Sequence, residues 1–194
     1  MLALLWIFLA HMVGYWATVA VTVVDSKHQW DRRCAQIVLF NQLAFAPVAA
    51  WQYYSFPYAP FESPAHGIWQ VPAAVLLTDV LFYPLHRLVH TKLLFHVHHM
   101  HHEWNKPIGV SALYASPFEH IVVNMTPPLM AGILVRMNLV VFMFWAFAAS
   151  ANTVWSHAYE NQHTDHHKLR TKNFGVGLML MDRWMGTLQK KKGA

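Results

Sequence analysis

Histidine is the residue type that gives this chain its chemistry. Seven of the fifteen histidines fall between His86 and His102, and a second dense group runs from His157 to His167. Both groups contain histidines three or four positions apart, and residues with that spacing share one face of a helix. Neutral imidazole is a common ligand of transition metals. The two groups therefore predict a metal site.

The candidate ligands form an H-x3-H pair, an H-x2-H-H triplet and a distant second H-x2-H-H triplet, with one further histidine just before the last triplet. One four-coordinate metal needs about four ligands, so this number of histidines predicts two ions. Imidazole alone leaves zinc, copper, iron and nickel open as the metal. The candidate ligands are His86, His90, His98, His101, His102, His157, His163, His166 and His167.

The remaining histidines do not fit the predicted ligand faces. On a helix, His99 is rotated by about a hundred degrees from its neighbour His98, and His96 lies two positions before that neighbour. Both are expected to face away from the metals. His120 lies beside Glu119, and both are candidates for supporting the ligands. The isolated histidines are expected to make structural or interfacial contacts: His11, His28 and His66.

The composition predicts the surroundings in which these histidines are held. The 194 residues are 56% hydrophobic and 12% charged, about half the charged share of a soluble protein, so we expect one integral membrane domain covering residues 1–194. The net charge is +5, but the basic residues are few and flank apolar runs, so nucleic acid is not an expected partner. Cys34 is the single cysteine and excludes an intrachain disulfide.

The apolar runs predict an all-α membrane bundle of four or five spans. The first run has the length of about 20 residues that a spanning helix needs, and it lacks the basic start of a signal peptide, so an uncleaved helix is favoured. The last two runs form a hairpin whose first arm either crosses the membrane or dips in and returns. The runs are Met1–Val24, Ala35–Tyr54, Gly67–Leu85, Phe118–Val135 and Asn138–Trp155.

Basic residues predict which ends of these spans face the cytoplasm. The loop Asp25–Arg33 and the tail Lys190–Lys192 carry positive charge, which favours the cytoplasmic side. The third span would then deliver His86 to the cytoplasmic face, and the second arm of the hairpin would deliver His157 to the same face. An interfacial loop, Ser55–His66, would lie outside. The sequence thus predicts a di-metal site at the cytoplasmic face.

The order of these motifs resembles that of the fatty acid hydroxylase and sterol desaturase superfamily of membrane di-iron oxidases. Other residues agree with it, and the resemblance covers about residues 75 to 188. The chain departs from the family pattern at Ser116, where many relatives carry a further histidine. The agreeing residues are Glu103 and Pro107, the stretch Tyr114–Glu119, Asn173-Phe174-Gly175, Asp182-Arg183 and Gly186-Thr187.

This resemblance implies an oxidoreductase. Its cofactor would be two iron ions, or zinc in their place in a purified or crystallised form, bound by the nine candidate histidines. Dioxygen, an external electron-transfer protein and a lipid from the bilayer would take part in a hydroxylation or desaturation. The C-terminal motifs are nearer to the sterol desaturase branch. The membrane would be the endoplasmic reticulum in a eukaryote or the inner membrane in a bacterium.

Asp79 is an exception within the third apolar run. A carboxylate inside a span is costly and usually faces the bundle interior, and Asp79 lies seven residues before His86, about two helical turns. We expect it to orient a ligand histidine, as we do for Glu119 and His120. The alternative is a hydrogen bond to a neighbouring helix.

A second function remains open from the residues alone. The alternative is a histidine-rich membrane protein without catalytic activity that binds or transports zinc or another divalent metal. A transporter is expected to place its ligands near the bilayer midplane, whereas the two histidine groups here fall at the ends of apolar runs. This position favours the oxidase. Protease, phosphate-loop and serine-hydrolase motifs do not occur in the sequence.

Overall fold

The structure is a computed structural model that describes residues 2–25, 30–55 and 67–189. Within these ranges the chain forms helices and turns and no strand, which confirms the predicted all-α class. Four helices are long and apolar enough to cross a membrane, and they match four of the five predicted runs. These spans are Leu2–Val24, Arg32–Ser55, Trp69–Val89 and Leu139–Ala158.

Short helices connect and follow the spans. Helix α4 lies between the third span and the hairpin, α5 and α6 belong to the hairpin's first arm, and helices α8 and α9 follow the last span. The helices in chain order are α1 Leu2–Val24, α2 Arg32–Ser55, α3 Gly67–Val89, α4 Phe95–His98, α5 Pro117–Glu119, α6 Thr126–Leu134, α7 Leu139–Ala158, α8 Gln162–Leu169 and α9 Leu180–Trp184.

The predicted hairpin is present, and its first arm is an irregular helix. Helix α5 continues into α6 through a π-helical stretch, His120–Met125. Pro127 and Pro128 have no N–H to donate to the preceding turn. Just before them, the Thr126 N–H donates to the Ile121 carbonyl, five residues back. Asn138 ends the turn by accepting a hydrogen bond from the Val141 N–H at the start of α7. The first arm is not among the four candidate spans.

Helices α1 and α7 lie side by side and run in the same direction. At Gly14 the two backbones meet so closely that a Cβ atom would overlap the Phe147 carbonyl oxygen. Small residues allow such close approach between membrane helices. The Tyr159 hydroxyl donates to Asp25 at 3.0 Å, which joins the C-terminal ends of the two helices. His157 therefore lies at the end of the bundle where α1 ends.

The segment after the first histidine triplet packs into the bundle. Tyr15 and Val38 contribute to a buried cluster together with Tyr114 and Val154, and the Tyr15 hydroxyl donates to the Val110 carbonyl at 2.9 Å. The chain between the triplet and α5 is thus attached to α1, α2 and α7. This attachment fixes the height of the triplet relative to the spans.

Several predictions fall outside the described ranges. Residues 26–29, 56–66 and 190–194 carry part of the predicted cytoplasmic loop, nearly all of the outer loop and the basic tail, together with His28 and His66. The assignment of the histidine end to the cytoplasm therefore stays a prediction.

Candidate metal centre

The structure brings all nine candidate histidines together in two adjacent groups. In each group the ligand atoms lie within 4.8 Å of one another. Every member is buried except His90, which is partly buried. The first group is His86, His90, His98, His102 and His166, and the second is His101, His157, His163 and His167.

Local helix structure points these side chains inwards. His86 lies in the last turn of α3 and His157 in the last turn of α7, so two spans end at the site. Helix α8 carries the second triplet, and Asn161 caps it by accepting hydrogen bonds from the backbone N–H groups of His163 and Thr164 at 2.7 and 3.3 Å. Such caps fix where a helix begins. The second triplet is therefore presented from a helix with a defined start.

Backbone carbonyls fix the orientation of five imidazoles. A carbonyl oxygen can only accept a hydrogen bond, so the Nδ1 atom of each of these rings carries the proton and Nε2 keeps a free lone pair. This arrangement is usual for metal-binding histidines. The pairs are His86 with Phe174 at 2.7 Å, His101 with Tyr114 at 3.2 Å, His157 with Thr153 at 2.8 Å, His166 with Lys172 at 2.7 Å and His167 with Trp104 at 3.0 Å.

The free Nε2 atoms face one another across short distances. His157 Nε2 lies 3.3 Å from His101 Nε2. Both atoms are hydrogen-bond acceptors, because the Nδ1 atom of each ring carries the proton. The Nε2 atoms of His166 and His167 are buried and have no hydrogen-bond partner in the part of the chain that the structure describes. Converging, desolvated lone pairs are costly unless a cation lies between them. The nine imidazoles therefore fit two metal ions, one in each group.

Burial keeps the histidines of the loops and short helices in the form that binds metal. It lowers the pKa of His101 to about 4 and the pKa of His166 to about 3. Both rings are neutral at neutral pH, and a ligand imidazole must be neutral. Burial also raises the pKa of Glu119 to about 8.

Two carboxylates support the first group in different ways. Glu119 contacts a candidate ligand directly, because its Oε1 atom lies 2.7 Å from His98 Nδ1. Asp79 does not contact a histidine. It accepts hydrogen bonds from the backbone N–H groups of Val176 and Met181 at 3.3 and 3.0 Å. The Asp79 carboxylate thus holds the loop between α8 and α9, and its role in orienting a ligand histidine stays a prediction.

Sequence reasoning missed Asp182 as a supporting residue. Its Oδ1 atom accepts from the Phe174 N–H at 2.9 Å and from the Thr187 hydroxyl at 2.6 Å. Phe174 in turn offers its carbonyl to His86. Asp182 therefore positions a candidate ligand through one peptide unit. The signal was present in the C-terminal motif, which places Asn173-Phe174-Gly175 before Asp182.

The other histidines of the described ranges do not belong to the two groups. His96 and His99 are exposed, as expected, and their Nδ1 atoms bond to the carbonyls of Leu93 and His96. His120 is fully buried, and neither of its ring nitrogens has a hydrogen-bond partner among the described residues. It packs edge-on against Phe45. No hydrogen bond in the described part of the chain supports its predicted role beside a metal ligand.

A cavity of about 440 Å³ extends from the histidines into the bundle. Five candidate ligands line it: His86, His98, His101, His157 and His163. Further along, its wall is formed largely by apolar side chains such as Ile7, Phe45, Leu129 and Phe142. A volume of a few hundred cubic ångströms is typical of sites for small organic molecules. The cavity therefore has room for an apolar molecule that reaches from the spans to the two histidine groups.

Comparison with known proteins agrees with this geometry. The sequence model of the family described as fatty acid hydroxylase matches residues 71–187. A human protein, "Fatty acid hydroxylase domain-containing protein 2", is 31% identical over 181 residues, which cover 80% of this chain and 51% of that protein. No solved structure matches the chain.

Other relatives act on different lipids by name. "Methylsterol monooxygenase 1" of Gallus gallus is 29% identical over 146 residues, covering 69% of this chain and 49% of its own length. "Very-long-chain aldehyde decarbonylase GL1-11" of Oryza sativa subsp. japonica is 27% identical over 153 residues, covering 75% and 57%. The chain spans about half the length of the curated relatives it matches. Since the family match runs over most of the chain and includes both histidine groups, this protein belongs to the fatty acid hydroxylase family.

Proposed function

We propose that this protein oxidises a C–H bond of a membrane lipid, by hydroxylation or desaturation, at two iron ions held by the nine histidines. The observation that most directly supports this proposal is that the converging Nε2 atoms lie at the end of an apolar cavity. The names of the relatives, a methylsterol monooxygenase and an aldehyde decarbonylase among them, support oxidative lipid chemistry. When bound, the metal pair would supply the activation of dioxygen with electrons from an external electron-transfer protein.

The protein's own residues bind and position the reactants. Backbone carbonyls hold the ligand rings in one tautomer, and Glu119 orients His98. The cavity excludes water and presents one carbon of the lipid to the face formed by His101, His157 and His163. No side-chain nucleophile is needed, because the metals carry the difficult step and the protein selects its position.

The location of the reaction follows from the spans. Both histidine groups lie at the ends of α3 and α7, and we place this end at the cytoplasmic face of the endoplasmic reticulum or of a bacterial inner membrane. An electron-transfer protein then reaches the site from the cytoplasm, while the lipid enters from the bilayer. We treat residues 1–194 as a single domain.

The test compares His101→Ala with His99→Ala. His101 belongs to the second histidine group, whereas His99 is exposed and two positions away. The purified wild type and His99→Ala should bind about two irons per chain, and cells expressing them should contain a hydroxylated or unsaturated lipid that is missing with His101→Ala. Firmly bound zinc, with lipid profiles identical in all strains, would instead support the non-enzymatic metal-binding protein.

A further inference from the structure

The cavity contains a polar region some distance from the metal ligands. Ser150 and His11 line the cavity from α7 and α1, and Thr78 lines it from α3. Ser150 lies seven residues before His157, about 10 Å along α7, and Thr78 lies eight residues before His86, about 12 Å along α3. Polar atoms on two helices therefore face the cavity at a similar distance from the histidine end. We call these three residues the polar collar.

On the side of α7, existing hydrogen bonds determine which donor or acceptor of the collar remains free. Trp16 Nε1 donates to Gln42 Oε1 at 3.0 Å, which leaves the Gln42 amide nitrogen to donate to His11 Nε2, also at 3.0 Å. The His11 proton is then on Nδ1 and is donated to Ser150 Oγ at 2.6 Å. The Ser150 hydroxyl donates to the Ala146 carbonyl at 2.7 Å. Ser150 Oγ retains one free lone pair, so it can accept one more hydrogen bond.

Thr78 offers the complementary group. Thr78 is only 8% exposed, and its hydroxyl has no hydrogen-bond partner among the described residues, although a threonine in a helix commonly bonds to the carbonyl four residues back. An unpaired buried hydroxyl destabilises the folded protein, because it has lost its hydrogen bonds to water. A ligand that accepts a hydrogen bond from Thr78 removes this cost. The collar therefore presents a free donor at Thr78 and a free acceptor at Ser150.

We infer that the collar binds a hydroxyl group of the lipid substrate. A hydroxyl both accepts and donates, which matches the free groups of the collar, whereas an ether or ester oxygen only accepts. The position of the collar also sets the distance between the lipid hydroxyl and the oxidised carbon. This distance is roughly 10 Å, which is the helical rise between Ser150 and His157. The substrate class is thus a lipid that already carries a hydroxyl. Its oxidation depends on the proposed function, whereas its binding at the collar does not.

Binding is measured with a matched pair of probes, cetyl alcohol and hexadecane. The full-length, metal-loaded protein in nanodiscs is titrated with each, and the ratio of the two affinities is compared between wild type and Thr78→Val, which removes the hydroxyl and nearly conserves shape. One neutral hydrogen bond contributes about 0.5–1.5 kcal/mol, so Thr78→Val should lower the affinity for the alcohol by about two- to tenfold. Its affinity for hexadecane should not change.

Ser150→Ala and Thr18→Val complete the test. Ser150→Ala should also weaken binding of the alcohol selectively. Thr18 bonds to the Gly14 carbonyl and does not line the main cavity, so Thr18→Val should behave as wild type. An alcohol-to-alkane ratio that is the same in wild type, Thr78→Val and Ser150→Ala overturns the inference. Since the readout is affinity, a protein without oxidase activity but with the expected ratios would contradict the proposed function alone.

Discussion

Glu119 Oε1 lies 2.7 Å from His98 Nδ1, and both side chains are almost completely buried. Such carboxylate partners fix the tautomer of a ligand histidine, and their loss typically lowers metal affinity by about 10–100-fold. We expect this loss for Glu119→Ala. Glu119→Gln should lose less, because its amide oxygen can still accept from His98. Competition with a chelator measures the affinity of the purified protein for iron.

The matched control for this prediction is Glu103→Gln. Glu103 is an exposed carboxylate that accepts from the Tyr114 hydroxyl at 3.0 Å and contacts no histidine in the described hydrogen bonds. It should retain iron as the wild type does. If Glu119→Ala retained iron equally well, Glu119 would have no positioning role.

Filling the cavity should reduce lipid oxidation without removing the metals. Ala149 lines the cavity on α7, and a phenylalanine there would occupy the space of the lipid. Because the phenylalanine competes with the lipid for this space, substrate affinity should fall by about tenfold or more, which corresponds to about 1.4 kcal/mol or more. Product formation in cells and iron content of the purified protein are the two measurements for Ala149→Phe.

A second phenylalanine separates blocking of the cavity from a general effect on the helix. Val140 is also on α7 but is 75% exposed and outside the cavity wall, so Val140→Phe should leave product formation unchanged. Equal activity of Ala149→Phe and wild type would show that the lipid does not use this cavity.

Substitution of Gly14 should destabilise the contact between α1 and α7. A Cβ atom at this position would overlap backbone atoms of Phe147, and a backbone cannot move aside as a flexible side chain does. Gly14→Ala should therefore cost about 1–3 kcal/mol and lower the Tm in detergent. The neighbouring exposed position provides the control, Val13→Ala, whose Tm should not change. A Gly14→Ala protein as stable as this control would show that the helices separate at no cost.

Acid should destabilise the metal-free protein. Burial lowers the pKa of His101 to about 4 and of His166 to about 3, from an ordinary value of 6.5. The unfolded chain therefore binds protons first as the pH falls, so the stability present above pH 6.5 is lost progressively through pH 4 and below. Thermal unfolding at a series of pH values measures this loss. A Tm that is constant from pH 6.5 to pH 4 would contradict the burial of neutral imidazoles.

The i, i+3 and i+4 spacing of the histidines selected the nine side chains that meet in the structure, although the first triplet does not share one α-helix, because His98 ends α4 and His101 and His102 lie in a following 3-10 turn. The same rule correctly separated His98 from the outward-facing His96 and His99. The nine selected histidines are brought together, while their binding of iron stays a prediction. The apolar runs likewise predicted the four spans and the hairpin.

The supporting contacts could not be predicted, because they depend on how distant segments pack. The partner of His86 is a carbonyl 88 residues away, and the partner of His167 is a carbonyl 63 residues away. Asp79 has the burial expected of a functional carboxylate, but its partners belong to a loop about a hundred residues later. The π-helical stretch His120–Met125 in the hairpin's first arm was likewise not predicted by the apolar pattern.

The hydrogen bonds to Lys172 and Phe174 have a consequence for biosynthesis. His86 and His90 emerge with the third span, yet the carbonyls that orient His86 and His166 belong to residues 172–174. During translation the ribosome must add more than eighty residues after His86 before the metal pocket is complete. Until then, the nascent chain holds its first imidazoles without their partners, so the two histidine groups are complete only after all four candidate spans have been synthesised.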